Sequence, residues 1–156
     1  MTAVGRPSMD EIRVRVASDA DAVTARQRGR EAAIRIGLTR SEATYVATAI
    51  SEIARNITTH AGAGEIRIRE VWRGEQIGME VIATDQGPGI ADVPAVLASD
   101  YASTAGLGLG LWGARQLMDE VEVTSEPGEG TIVTMRKWCG MGELGIDLAG
   151  LNPRDD

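Results

Sequence analysis

Apolar and polar positions along this chain first alternate, then recur every three or four residues, then alternate again. Ile12, Val14 and Val16 are separated by Arg13 and Arg15, the period-two pattern of a half-buried strand. Ser18 or Asp19 is placed to cap a helix predicted to run to about Ile36, where Gly37 stops it. Thr39 and Glu42 form a capping-box pattern that opens a second helix, ending near His60 and Gly62. Two strands are predicted over residues 65–72 and 76–84, joined by a turn at Arg73-Gly74-Glu75. Residues 86–105 read as irregular, with one short helix near 93–99. A further helix is predicted from about Gly110 to Met118 or Asp119. Residues 121–125 and 131–138 then make a hairpin around Pro127-Gly128-Glu129-Gly130.

The element order is β-α-α-β-β-loop-α-β-β. Helices set apart from antiparallel hairpins predict an α+β fold: a two-layer α/β sandwich with a mixed, largely antiparallel sheet covered on one face by helices. No repeat or interdomain linker interrupts the pattern. Residues 1–9 read as a loose leader, 10–139 as one domain, and 140–156 as a glycine-rich tail. A chain of 156 residues is long enough to bury a core without disulfide or metal support.

Composition narrows the function. Phe is absent and aromatic residues make up 3%, so Val, Ile, Leu, Met and Ala must fill the core. The formal charge of −7 argues against a general nucleic-acid binder, which needs a basic surface for the phosphate backbone. Cys139 is the only cysteine, which excludes an internal disulfide framework and a cysteine-rich zinc site. No segment has the apolar length to span a bilayer, and no signal-peptide core is present, so the cytoplasm is the expected compartment. His60 is the only histidine, and no Gly-x-Ser-x-Gly elbow accompanies it, which disfavours a serine hydrolase.

Four local features carry candidate chemistry. On the second predicted helix, Val46, Ile50, Ile53 and Ile57 form a buried stripe, and Glu52 and Asn56 share a neighbouring face. An amide oxygen can hold Mg²⁺ while a carboxylate beside it takes a proton from a hydroxyl. Taken alone, the pair reads as a solvated helix flank. Asp85-Gln86-Gly87-Pro88-Gly89 follows an apolar strand. A strand-end Asp can accept from the exocyclic amine of adenine, and the glycines allow a sharp turn close to a flat base. Taken alone, this is an Asp-initiated turn.

Gly106-Leu107-Gly108-Leu109-Gly110 precedes an amphipathic helix, where free amides and the helix dipole suit phosphate. It is neither a Walker A loop, since no Gly-Lys-Ser/Thr follows, nor a good Rossmann fingerprint, since a long loop precedes it. Gly128-Glu129-Gly130-Thr131 is a hairpin turn whose Thr hydroxyl can reach a base directly or through water.

In this order and spacing, the four features together resemble the GHKL ATPase superfamily of gyrase, Hsp90, histidine kinases and MutL, with its Bergerat fold. Within it the chain is similar to the serine/threonine kinases of bacterial partner switching, the RsbT type above all. The segments that carry this are Ser51-Glu52-Ile53-Ala54-Arg55-Asn56, Asp85-Gln86-Gly87-Pro88-Gly89-Ile90, Leu117-Met118-Asp119-Glu120, and Gly130-Thr131 with Lys137-Trp138. The resemblance covers roughly residues 10–139, with 91–105 as a shortened ATP lid.

It implies Mg²⁺-ATP as the bound nucleotide. Glu52 is then the catalytic base or orienting group, and Asn56 the metal ligand. Asp85 reads adenine with Thr131 assisting, Gly87 and Gly89 give the base room, and Gly106, Gly108 and Gly110 bind phosphate oxygens. The implied substrate is a STAS-domain antagonist protein, with a serine phosphatase as a further partner after release. An anti-sigma kinase that holds a sigma factor, or a binding-only regulator, is the alternative. A histidine kinase is disfavoured, because the chain has no room for a dimerisation helix pair. His60 is read as structural, and Arg55 as a partner contact or a surface charge. Trp112 is either a lid-packing side chain or a partner contact.

Overall fold

The computed structural model describes residues 9–90, 93–94 and 110–140. Strand β1 (Ile12–Val16) leads into helix α1 (Asp19–Ile36). Ser18 caps that helix by accepting from the Asp21 amide, while the Asp21 carboxylate accepts from Ala17. Gly37 ends it in the left-handed region at φ 119°, donating to the Ala33 and Ile34 carbonyls. The expected capping box opens α2 (Arg40–Asn56): the Thr39 amide donates to Glu42 Oε1 at 2.8 Å, and the Glu42 amide to Thr39 Oγ1 at 3.1 Å. These reciprocal bonds satisfy two of the amides that a helix start leaves unpaired.

Helix α2 is shorter than the sequence pattern suggests. After Asn56 it widens into a π turn, Ile57–Ala61, which Gly62 ends at φ 85°. The wider turn keeps Ile57 in the core and still carries Ala61 over to Gly87. Strands β2 (Gly64–Arg73) and β3 (Gln76–Asp85) follow as a hairpin, then α3 (Gly110–Leu117), β4 (Glu120–Ser125) and β5 (Thr131–Trp138). Of the short helix expected near 93–99, only residues 93–94 are described, and they are helical. The rest of it, and residues 1–8 and 141–156, lie outside the described residues.

The sheet order is β1-β2-β3-β5-β4, and every neighbouring pair is antiparallel. The expectation of a mixed sheet allowed for a parallel pair, and among the described strands there is none. The reason is topological: β5 rather than β4 inserts beside β3, and β4 in that place would have run parallel to it.

Alternation gives the sheet two different faces. Val14, Val16, Ile66, Ile68, Met79, Val81 and Met135 are buried beneath α1 and α2, which add Val46, Ile50 and Ile53. Gly29 lets the helices close, because a side chain there would collide with Ile50. The other face carries a charge ladder. Glu80, only 5% exposed, is clamped between Arg69 and Arg136. Arg136 also reaches Glu120, and Arg73 grips Glu120 with both terminal guanidinium nitrogens. Trp138 lies over Gly78, and the Arg73 guanidinium stacks 4.2 Å from its ring centroid. Among the described residues, no helix is long and apolar enough to cross a membrane.

Candidate functional site

One end of the covered sheet face is a row of small and polar residues. The cross-strand register aligns Gly64 with Asp85, Asp85 with Thr131, and Thr131 with Ser125. By alternation all four share the face that the helices cover. Asp85 Oδ1 accepts from the Gly87 amide at 2.8 Å, which folds the chain back at the end of β3. Thr131 is buried and Asp85 half-buried.

Two turns interlock beside this row. Gly128 donates its amide to the Pro88 carbonyl at 2.7 Å. Gly89, at φ 81°, packs against the Glu126 carbonyl, and Gly130, at φ 87°, packs against the Asp85 carbonyl. A methyl group at either position would overlap backbone, and the left-handed conformation already disfavours one. The space beside Gly87 is likewise filled by Ala61 at the end of the π turn. These glycines therefore let protein approach protein, in addition to the room for a base expected at Gly87 and Gly89.

The second part of the site hangs from α2. Glu52 and Asn56 are both half-buried, one turn apart. Glu52 Oε1 lies 3.3 Å from the amide of Gly110, the first residue of α3, which sits at φ 52°. Asn56 Oδ1 is buried and has no hydrogen-bond partner among the described residues. A neutral amide oxygen is a fitting single ligand for Mg²⁺, which usually keeps waters and takes its remaining oxygens from phosphates. No group of three His, Cys, Asp or Glu among the described residues could hold a metal unaided.

The structure brings Glu52, Asn56 and Gly110 together at the end of α2, and Asp85, Gly87, Gly89 and Thr131 together at the strand ends. The π turn joins the two groups: Ile57 packs beside Gly64 next to Asp85, and Ala61 packs on Gly87. Both groups lie on the helix side of the sheet. Gly106 and Gly108 lie outside the described residues. Arg55 and His60 are exposed, and Trp112 is half-buried on α3. Lys137 donates to the Leu117 carbonyl at 2.9 Å and sits 3.5 Å from Asp119, so the sole lysine caps the C-terminal end of α3.

Ser125 escaped the sequence reading. Its hydroxyl contacts Ile90, Gly130 and Thr131 at once. The signal lay in the hairpin, where a Ser six residues before Thr131 faces it once the strands pair.

Comparison with known proteins places the chain in a wider group. Residues 12–137 match the family model described as a histidine kinase-like ATPase domain. The chain is 43% identical over 129 residues to the serine/threonine-protein kinase RsbT of Bacillus subtilis (strain 168), covering 83% of this chain and 97% of that protein. It is 35% identical over 101 residues to an anti-sigma F factor of Thermoanaerobacter sp. (strain X514), covering 61% of this chain and 69% of that one. It is also 30% identical over 105 residues to the sensor protein BceS of Bacillus subtilis (strain 168), of which 31% is covered.

Proposed function

Because the chain belongs to the histidine kinase-like ATPase domain family, we propose that it is an ATP-dependent protein serine/threonine kinase of a bacterial partner-switching pathway. Its protein substrate is a small STAS-domain antagonist, and it acts in the cytoplasm, where ATP is supplied. The observation that carries this reading is Asn56 Oδ1, buried without a partner among the described residues, one turn from the Glu52 carboxylate. Leaving a buried acceptor unpaired costs about 1–3 kcal/mol, and a fold keeps such an atom where a ligand will satisfy it.

In this reading Asn56 supplies one oxygen to Mg²⁺, whose contribution when bound is to neutralise charge on the phosphate oxygens. Glu52 orients or deprotonates the incoming serine or threonine hydroxyl. Asp85 accepts from the adenine amine, and Thr131 assists. Gly106, Gly108 and Gly110 offer amides to phosphate, and Gly87 and Gly89 shape the turn that holds Asp85. Released from its antagonist, the kinase goes on to activate a serine phosphatase by binding it.

A second reading is favoured by the relatives named anti-sigma F factor: the chain retains a sigma factor and phosphorylates the antagonist that frees it. Incubation with γ-labelled ATP, Mg²⁺ and a candidate antagonist separates these possibilities. Label on a serine or threonine of the antagonist is the expected result, and co-purification of a sigma factor would favour the second reading. Calorimetry that finds no uptake of ATP or ADP by the purified protein would overturn both.

A further inference from the structure

Ser125 has one hydroxyl hydrogen and two lone pairs, and it has three neighbours at hydrogen-bond distance. The Ile90 amide donates to its Oγ at 2.7 Å. The Gly130 carbonyl, which can only accept, lies 3.1 Å away and takes the Ser125 hydrogen. Thr131 Oγ1 lies 2.8 Å away, and in this third contact either oxygen could donate. With the Ser125 hydrogen already given to Gly130, only Thr131 has one left to give. If Ser125 donated to Thr131 instead, its oxygen would face the Gly130 carbonyl with no hydrogen between them. One assignment therefore makes all three contacts hydrogen bonds.

We propose that Ser125 is a specificity-determining residue: it takes the Thr131 hydroxyl hydrogen and so leaves Thr131 able only to accept from the base of a bound nucleotide. The proposal rests on the reading of Asp85 and Thr131 as the base-facing pair. Asp85 and Thr131 are paired across β3 and β5, and an ionised Asp85 is also acceptor-only. Two adjacent acceptors match the exocyclic amine of adenine, which only donates there. They oppose the carbonyl oxygen that hypoxanthine and guanine carry at the same position. Ser125 touches no ligand itself. It acts by holding the polarity of Thr131, and through Ile90 it holds the chain that leaves the Asp85 turn.

The test compares binding of ATP, ITP and GTP by calorimetry in wild type, Ser125→Ala, Ser125→Cys, Thr131→Val and the Ser125→Ala/Thr131→Val double variant. ITP is the cleaner probe, because it differs from ATP at the base edge without adding the 2-amino group. The expected result is a wild type that prefers ATP, and a Ser125→Ala protein whose ATP-to-ITP preference falls roughly tenfold, the scale of one redirected hydrogen bond. In the Thr131→Val background, Ser125→Ala should leave the ratio unchanged, since the hydroxyl it steers is gone. Should Ser125→Ala not fold, Ser125→Cys decides, its thiol being a weak donor and acceptor. Equal losses of ATP and ITP affinity would make Ser125 merely structural and overturn the proposal. So would a wild type that binds ATP and ITP equally. A wild type that binds neither overturns the nucleotide reading itself, a separate outcome.

Discussion

The Glu52 carboxylate reaches the backbone amide of Gly110, with Oε1 3.3 Å from the nitrogen. A group that the proposed function assigns to the substrate hydroxyl thus sits on the amide that opens α3. An anion at a helix start is stabilised by about 0.3–1 kcal/mol. Glu52→Ala should lower phosphoryl transfer by roughly 10²–10⁴-fold, the usual worth of a general base. Nucleotide affinity should hold or rise by up to about fivefold, because a competing anion has left the helix start. Single-turnover transfer with labelled ATP, beside calorimetry, measures both. Transfer at the wild-type rate would remove Glu52 from the chemistry.

Asp85 should affect binding more than turnover. Its Oδ1 is committed to the Gly87 amide, and the second oxygen remains for a base amine. Asp85→Asn puts a donor where the reading needs an acceptor. ATP affinity should fall at least tenfold, since hydrogen bonds to charged groups are worth about 1.5–3 kcal/mol. A variant that binds ATP normally yet transfers slowly would place Asp85 elsewhere in the mechanism.

The interlocked turns make a stability prediction. Gly89→Ala adds a methyl against the Glu126 carbonyl, and Gly130→Ala one against the Asp85 carbonyl, both at positive φ. Strain of about 1–2 kcal/mol for the left-handed conformation adds to the overlap, so each variant should lose about 2 kcal/mol or more. Gly128→Ala is the comparison, because it shares the positive φ but has open space around it. Its loss should be the smaller in urea unfolding, and equal losses in all three would mean the turns do not interlock as described.

Much of this architecture was legible because it is local. The capping box at Thr39 and Glu42, the stop at Gly37 and the strand of Ile12, Val14 and Val16 each depend on residues a few positions apart. The candidate site residues were legible as separate motifs, each weak, whose order carried the resemblance. What could not be read was whatever depends on which strand lies beside which. Ser125 meets Thr131 across a hairpin, but it meets Ile90 only because β5 inserts between β3 and β4. The same insertion lines up Arg69, Glu80, Arg136 and Glu120, residues that look like unrelated surface charges along the chain. The π turn after Asn56 is likewise invisible to a 3.6-residue period.

That ladder makes Glu120 the residue whose titration should be felt in stability. Its carboxyl is held down at about 2, first by the hydrogen bonds from Arg73, with burial opposing, and further by Arg136 and the Trp138 indole. The ordinary value of 4.5 applies once the chain unfolds, so the folded state favours the ionised form. Glu120 therefore contributes its full stabilisation above about pH 4.5, and that contribution drains away as pH falls through about 2. Partial exposure and screening hold it to about 1 kcal/mol. Glu120→Gln should be less stable than wild type by that amount at pH 7, and the gap should close steadily between pH 4.5 and 2. Urea midpoints taken across that range measure it. A gap that stayed constant down to pH 2.5 would mean that the Arg73 fork stabilises through its packing on Trp138 and not through the charge it grips.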